Sequence, residues 1–148
     1  RLRRFITTHQ GTNADMKSRS SGDGIALELV PQGTLIERLR SGGAGLGGVL
    51  TPTGIGTPVE EGKRKIEVNG REYLLELPLR GDVALIRADV ADRAGNLLYR
   101  HTARNYNPVM ATAADWVIAE VARVVEPGEL DPDRVETPGI YVDVLVVR

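Results

Sequence analysis

Six of the 17 glycines in this 148-residue chain fall within positions 42–54. Such a density requires the backbone to approach another group closely or to adopt positive φ angles. The glycines come after residues 25–30, a mostly apolar run whose length predicts a strand covered on both faces, as in a parallel sheet. Pro31 ends this run. The order of strand, turn, helix and glycine-rich loop is typical of an α/β fold.

The segment after Pro31 predicts a helix with a polar side chain at its entrance. Thr34 and Glu37 form a Thr-x-x-Glu capping box, which predicts that the helix begins at Thr34. The pair Gly42-Gly43 is expected to end it. Gln32 would then lie in the strand-to-helix turn, where α/β folds present polar groups to a ligand. Its side-chain amide can donate a hydrogen bond to a developing negative oxygen.

Further strands alternate with short helices along the chain, and this alternation predicts an open, mainly parallel α/β sheet flanked by helices. Asn69-Gly70 between two alternating segments predicts an antiparallel hairpin flap over 65–77. The other predicted elements are strands over 3–8, 83–88, 97–99, 116–121 and 141–147, a helix over 107–114, and loops over 10–24 and 46–62. In the last strand the core candidates are Ile140, Val142, Leu145 and Val147.

Composition excludes several classes of site. The chain has no cysteine, which removes disulfides, cysteine-ligated metals and a thiol nucleophile, and which is compatible with the cytoplasmic location that we expect. A net charge of -1 creates no field that would recruit nucleic acid or an anionic membrane. No apolar run approaches the roughly 18 residues of a membrane span. His9 and His101 are too few for a histidine-only metal site, so we expect no metal. We also expect no permanently bound cofactor.

Residues 43–48 match the pattern G-x-G-x-x-G. The dinucleotide-binding fingerprint needs a strand before this pattern and a helix after it, whereas here a helix precedes it and Pro52 soon follows. Two interpretations of the run remain open: a helix end followed by a loop, or a backbone surface that lines a ligand pocket. Neither G-x-S-x-G nor H-E-x-x-H occurs, so the residues alone provide no complete catalytic set.

Several long segments resemble, in order and spacing, those of the A (alpha) subunit of family I CoA-transferases. They are ELVPQGTLIERLRSGGAG, LTPTGIGT, ADRAGNLLYR, ARNYNP, VVEPGELDPD and TPGIYVD. The resemblance covers essentially the whole chain and is strongest to the acetate/acetoacetate and butyrate–acetoacetate enzymes. It implies a hetero-oligomer of A and B subunits that moves CoA between a short-chain acyl-CoA and a carboxylate, with coenzyme A as substrate. The alternative is a non-catalytic CoA-binding or assembly subunit.

In that family a glutamate of the B subunit, within a Ser-Glu-Asn-Gly motif, attacks the acyl-CoA. The motif is absent from this sequence. The resemblance implies that Gln32, from the Pro-Gln-Gly turn, is a catalytic oxyanion donor. It implies substrate-binding roles for His9, Gly42, Gly43, Ala44 and Gly45. The family's subunit normally opens with a Gly-Gly-Phe-Gly loop, so we expect residues 1–148 to be a single A-subunit domain that lacks its N-terminal segment.

Overall fold

A computed structural model of the chain describes residues 2–9, 11 and 25–148. These residues form two compact units. The first comprises the described residues of Arg1–Glu37 together with Val49–Glu76, and the second comprises Arg38–Gly48 and Leu77–Arg148. The loop predicted over 10–24 lies, apart from Gly11, outside the described residues.

The described ranges contain nine strands and two α-helices. The strands are β1 (Arg4–Thr7), β2 (Ala26–Leu29), β3 (Val49–Thr51), β4 (Lys65–Val68), β5 (Arg71–Glu76), β6 (Gly81–Asp92), β7 (Leu97–Leu98), β8 (Ala114–Val125) and β9 (Val144–Val147). The helices are α1 (Gln32–Gly43) and α2 (Asn107–Thr112). Within these ranges, neither helix is long and apolar enough to cross a membrane.

The first unit holds two small sheets. β1 and β2 pair in parallel, and β3, β5 and β4 form an antiparallel sheet in that order. Asn69 and Gly70 have φ angles of 51° and 74°, as the two central positions of a type I′ turn require, so the predicted hairpin is confirmed. The expectation that strand 25–30 is covered on both faces is wrong, because Leu29 of β2 is exposed.

The second unit is built on one sheet in the order β7-β6-β8-β9. β6, β8 and β9 run parallel, and the short β7 pairs antiparallel with the end of β6. One face of this sheet forms the core, to which β6 contributes Ala84, Ile86 and Ala88. α2 packs on β6 and β8 and adds Ala111 to the same core. The predicted α/β fold with a mainly parallel sheet and an antiparallel hairpin is therefore confirmed.

The end of the chain differs from the sequence prediction. Gly139–Tyr141 form a 3₁₀ turn, and β9 begins only at Val144. Val142 and Leu145 pack against the core as predicted. Ile140 is 86% exposed, because the inward and outward alternation of a strand does not extend through residues 139–143. Val147 is also exposed, at the last position of β9, which lies at the edge of its sheet. Both were therefore wrong as core candidates.

Candidate active site

The carboxyl ends of β1 and β2 lie side by side in the first unit. Thr7 and Leu29 are the last paired residues, and the N–H of Val30 donates to the carbonyl of Thr7 over 2.9 Å. His9 follows the first strand and Gln32 follows the second. Parallel sheets bind ligands outside the carboxyl ends of their strands. The structure therefore brings these two sequence-predicted residues to one edge of a sheet.

Gln32 is the first residue of α1, two positions before the predicted start. The N–H of Leu35 donates to the carbonyl of Pro31 over 2.9 Å and closes the first turn. Proline fixes φ in the helical range and lacks an N–H, so the chain enters the helix directly after it. Thr34 is buried inside the helix, and no described residue bonds its hydroxyl, so the capping-box prediction was wrong. The side chain of Gln32 is exposed.

A cavity of about 450 Å³ borders the first turns of α1 in the first unit. Its size lies within the usual range for small-molecule sites, roughly 300–1,000 Å³. The lining residues are Pro31, Gly33, Thr34, Ile36, Glu37, Val49, Leu50, Thr51 and Thr53. β3 supplies one wall, and the sequence analysis missed this strand by assigning residues 46–62 to a loop. The two β-branched residues of Val49-Leu50-Thr51 are the signal that favoured a strand there.

Contacts with Thr7 hold the backbone of His9 just after the end of β1. The hydroxyl of Thr7 donates to the carbonyl of His9 over 3.1 Å, and the N–H of His9 approaches the same hydroxyl at 3.3 Å. The imidazole occupies the space that a Cβ at position 11 would need, since Gly11 lies directly against the ring. The exposed imidazole can donate or accept a hydrogen bond at this edge.

The glycine run caps the C-terminus of α1. Gly45 adopts a left-handed φ of 69°. Its N–H approaches the carbonyl of Gly42 at 3.3 Å, and the N–H of Leu46 donates to the carbonyl of Ser41 over 2.9 Å. These two hydrogen bonds and the left-handed residue define a Schellman motif. The helix-end interpretation of the run is therefore confirmed.

Two glycines of the run have packing roles in the second unit. A Cβ at Gly42 would overlap the carbonyl oxygen of Leu79. A Cβ at Gly43 would lie 2.5 Å from the hydroxyl and 2.8 Å from the carbonyl oxygen of Thr112. Any larger residue at either position would therefore force neighbouring backbone to move.

A second cavity, of about 310 Å³, lies in the second unit next to the end of α1. Its lining residues are Arg40, Gly43, Ala44, Pro108, Val109, Thr112 and Tyr141. Gly43 and Ala44 therefore line a cavity, as the pocket interpretation of the glycine run predicts. Neither Gly42 nor Gly45 lines it. The sequence analysis did not single out Arg40 or Tyr141.

Charged residues fix the loop that follows β3. The carboxylate of Glu60 accepts a hydrogen bond from the N–H of Gly56 at 2.7 Å and lies 3.1 Å from the ammonium of Lys65. The bond from Gly56, and then the contact with Lys65, lower the pKa of Glu60 below its ordinary value. In the same unit, Lys63 and the buried Glu76 form an ion pair at 2.6 Å. The first ion pair ties the loop to the start of β4, and the second ties it to the end of β5.

The described residues do not bring three or more His, Asp or Glu side chains close enough to hold a metal ion. The first unit instead offers side-chain hydrogen-bond donors at a strand edge, and each unit contains a cavity of ligand size. Such groups suit the stabilisation of a transient negative charge on a substrate.

Comparison with known proteins gives consistent matches over the whole chain. The family model described as coenzyme A transferase matches residues 1–148. The acetate CoA-transferase subunit alpha of Escherichia coli K12 is 52% identical over 147 residues, which cover 99% of this chain and 67% of that protein. The acetoacetyl-CoA:acetate/butyrate CoA transferase alpha subunit of Clostridium acetobutylicum is 48% identical over 145 residues, which cover 98% of this chain and 66% of that protein.

A solved structure shares the fold. The apoenzyme of an acyl-CoA transferase from Escherichia coli O157:H7 superposes with a TM-score of 0.85 at 26% identity, covering 97% of this chain and 32% of that one. The chain spans about two thirds of the length of the two curated relatives and a smaller share of the solved enzyme.

Proposed function

Because this chain belongs to the coenzyme A transferase family, we propose that it forms part of the A (alpha) subunit of a cytoplasmic CoA-transferase. The enzyme moves CoA between a short-chain acyl-CoA, such as acetoacetyl-CoA, acetyl-CoA or butyryl-CoA, and a carboxylate acceptor. The observation that carries the proposal is 52% identity, over 99% of the chain, to a protein named acetate CoA-transferase subunit alpha. Coenzyme A is a substrate in this scheme, and no permanently bound cofactor takes part.

The attacking group comes from a partner B subunit. A glutamate oxygen of that subunit attacks the thioester carbonyl, the C–S bond breaks, and CoA leaves as a thiolate, which gives an acyl-glutamyl anhydride. The thiolate then attacks the glutamyl carbonyl and releases the first carboxylate, which leaves a glutamyl-CoA thioester. An acceptor carboxylate reverses these steps. A carboxylate nucleophile suits this exchange because the anhydride conserves the energy of the thioester.

Each attack creates a tetrahedral intermediate with a negative oxygen, and Gln32 donates a hydrogen bond to it. Three observations support this role. The side chain is exposed, it lies beyond the carboxyl end of β2, and it opens α1, whose N-terminal end carries partial positive charge. One such donor contributes roughly 10²–10³ in rate. His9, at the same strand edge, binds the substrate.

In the second unit, the glycine run contributes to binding of the substrate. Gly43 and Ala44 contribute backbone to the cavity of about 310 Å³. Gly42 and Gly45 act through shape, since one lets α1 approach Leu79 and the other closes the helix with a left-handed residue. Replacing any of the four would alter the surface that meets the acyl-CoA.

The test is reconstitution of the full-length protein with its cognate B subunit. CoA transfer from acetoacetyl-CoA or butyryl-CoA to acetate is measured for the mixture and for each subunit alone. We expect transfer in the mixture and none in either subunit alone. A purified complex that transfers CoA from none of these donors would refute the activity. A B subunit that is fully active alone would reduce the A subunit to a binding or assembly role.

A further inference from the structure

The cavity of about 450 Å³ beside α1 in the first unit has both apolar and polar walls. Its apolar part includes Ile36, Val49 and Leu50, and its polar part consists of three threonines and the carboxylate of Glu37. Among the described residues that line it, none is a lysine or an arginine, so the walls offer no cation to a phosphate or a carboxylate. An uncharged ligand with polar groups spaced along an apolar chain fits such walls.

Thr34 carries a buried hydroxyl that needs a partner. The residue is 4% exposed, and no described residue bonds its Oγ1 atom. Buried polar groups normally have a partner, because one without a partner costs folding free energy. Thr34 lines the cavity, and a threonine in a helix populates two χ1 rotamers. Its hydroxyl can therefore turn to donate a hydrogen bond to a ligand oxygen in the cavity.

Two further groups of the wall can bond a ligand. Oγ1 of Thr51 accepts a hydrogen bond from the N–H of Thr53 over 3.1 Å, and its own O–H remains a donor. The carboxylate of Glu37 has about four acceptor positions, so it can accept an N–H from a ligand in addition to its contact within the protein. The wall thus provides O–H donors and a carboxylate acceptor, which are the two partners that a secondary amide needs for its C=O and its N–H.

The size and place of the cavity indicate which part of an acyl-CoA it suits. A cavity of about 150 Å³ is enough to hold benzene, so one of about 450 Å³ has room for a longer chain than a short acyl group. Pro31 and Gly33, the two chain neighbours of Gln32, both line it, so a chain bound there ends beside the proposed oxyanion donor. The pantetheine arm of CoA is uncharged, carries secondary amides and ends at the thioester sulfur.

We propose that this cavity binds the pantetheine arm of CoA. The hydroxyl of Thr34 donates to an amide carbonyl of the arm, and the carboxylate of Glu37 accepts an amide N–H. The inference rests on the proposed function, which supplies CoA as the ligand. It adds a binding site for one defined part of CoA within the first unit, and it makes Thr34 a binding residue.

Ligand binding to the full-length A–B complex tests this site. Thr34→Val replaces the hydroxyl by a methyl group of similar size, and Thr34→Ser keeps the hydroxyl. Dissociation constants are measured by calorimetry for CoA, for pantetheine and for the adenosine bisphosphate part of CoA, which lacks the arm. We expect Thr34→Val to weaken binding of CoA and of pantetheine about 10-fold, the effect of one lost hydrogen bond. Thr34→Ser should bind both as the wild type does, and the affinity for the nucleotide should be the same in all three proteins.

Ser41→Ala is the matched control. It also removes a buried hydroxyl of α1 that no described residue bonds, but Ser41 is not among the residues that line the cavity. All three dissociation constants should therefore stay unchanged in this variant. If Thr34→Val does not fold, Leu50→Trp provides a second test, because it narrows the cavity from β3 and should also weaken binding of the arm selectively.

Normal pantetheine binding by Thr34→Val, or equal losses for pantetheine and the nucleotide, would overturn the inference. CoA transfer by the same wild-type complex tests the proposed function separately. A complex that transfers CoA but binds pantetheine without need of Thr34 would keep the function and refute the site. A complex that transfers no CoA but binds pantetheine through Thr34 would refute the function and support the site.

Discussion

Val30 donates its backbone N–H to the carbonyl oxygen of Thr7 over 2.9 Å, one residue beyond the last register pair of β1 and β2. This hydrogen bond holds together the two chain segments that lead to His9 and Gln32. Groups mounted at the ends of paired strands keep their positions better than groups on free loops. The positions of His9 and Gln32 therefore depend on the pairing of β1 with β2 more than on the turns that follow these strands.

Gln32→Ala tests whether the amide acts in catalysis. In the reconstituted A–B enzyme we expect kcat to fall by roughly 10²–10³, the usual loss of one oxyanion donor. The thermal midpoint should change little, because substitution of an exposed side chain usually shifts stability by less than about 0.5 kcal/mol. Gln32→Glu keeps the length of the side chain but replaces the donor by a carboxylate, so its kcat should be at least as low. Equal losses of activity and stability would instead assign Gln32 a structural role in the turn.

Gly43→Ala tests the close approach of α1 to Thr112. The new methyl group would lie 2.5 Å from the threonine hydroxyl, and overpacking of this kind costs about 1–3 kcal/mol. Part of that cost is offset by the better helix propensity of alanine. Urea unfolding should therefore show a loss of about 1–2 kcal/mol. Gly47→Ala is the matched control, because a Cβ at that exposed glycine meets no atom within 4 Å; similar losses in both variants would contradict the packing role.

Lys63→Met tests the ion pair with Glu76. The side chain of Glu76 is 3% exposed and that of Lys63 is 25% exposed. Removal of the lysine leaves a buried carboxylate without its cation, and we expect a loss of about 3 kcal/mol in unfolding free energy. The same change at Lys65, whose pairing with Glu60 lies at the surface, should cost much less, because solvent screens an exposed pair.

A second variant separates the charge of Glu76 from its packing. Adding Glu76→Gln to Lys63→Met removes the unpaired charge, so part of the lost stability should return. No recovery in the double variant would show that the unpaired charge of Glu76 does not cause the loss.

The features that the sequence predicted correctly are those fixed by neighbouring residues. Asn69-Gly70 specifies its own turn through two positive φ angles, and the hairpin follows from it. β3 was missed because its existence depends on pairing with β5, where Val49 lies opposite Glu76, far along the chain. The exposure of Ile140 also depends on a distant contact, since Gly139 packs directly on the backbone of Ala94 and fixes the 3₁₀ turn.

In the candidate site, too, the features fixed by neighbouring residues were predicted correctly and those fixed by distant contacts were not. Gln32 was placed correctly at a strand-to-helix junction because a strand, a proline and a helical pattern are visible in order. The start of α1 was misplaced by two residues, since the local capping pattern at Thr34 was overridden by burial of that threonine. The cavities could not be foreseen, because Tyr141 and Gly43 meet only through the tertiary fold.

Tyr99→Phe tests a buried hydroxyl pair in the second unit. The hydroxyls of Tyr99 and Thr137 lie 2.7 Å apart, and both residues are almost fully buried. Phenylalanine fills the same space but leaves the threonine hydroxyl without its partner, so unfolding free energy at pH 7 should fall by about 1–3 kcal/mol. Tyr141→Phe, at an exposed tyrosine, is the matched control and should be neutral.

The same hydroxyl pair predicts a pH dependence. Burial, partly opposed by the hydrogen bond with Thr137, raises the pKa of Tyr99 from 10.0 to about 12. Because the folded state favours the neutral phenol, its stabilising contribution is complete below pH 10 and is lost as pH rises from 10 to about 12. The stability difference between the wild type and Tyr99→Phe should therefore shrink across this range. Urea unfolding at several pH values between 9 and 12 measures it, and a difference that stays constant would show that Tyr99 titrates normally.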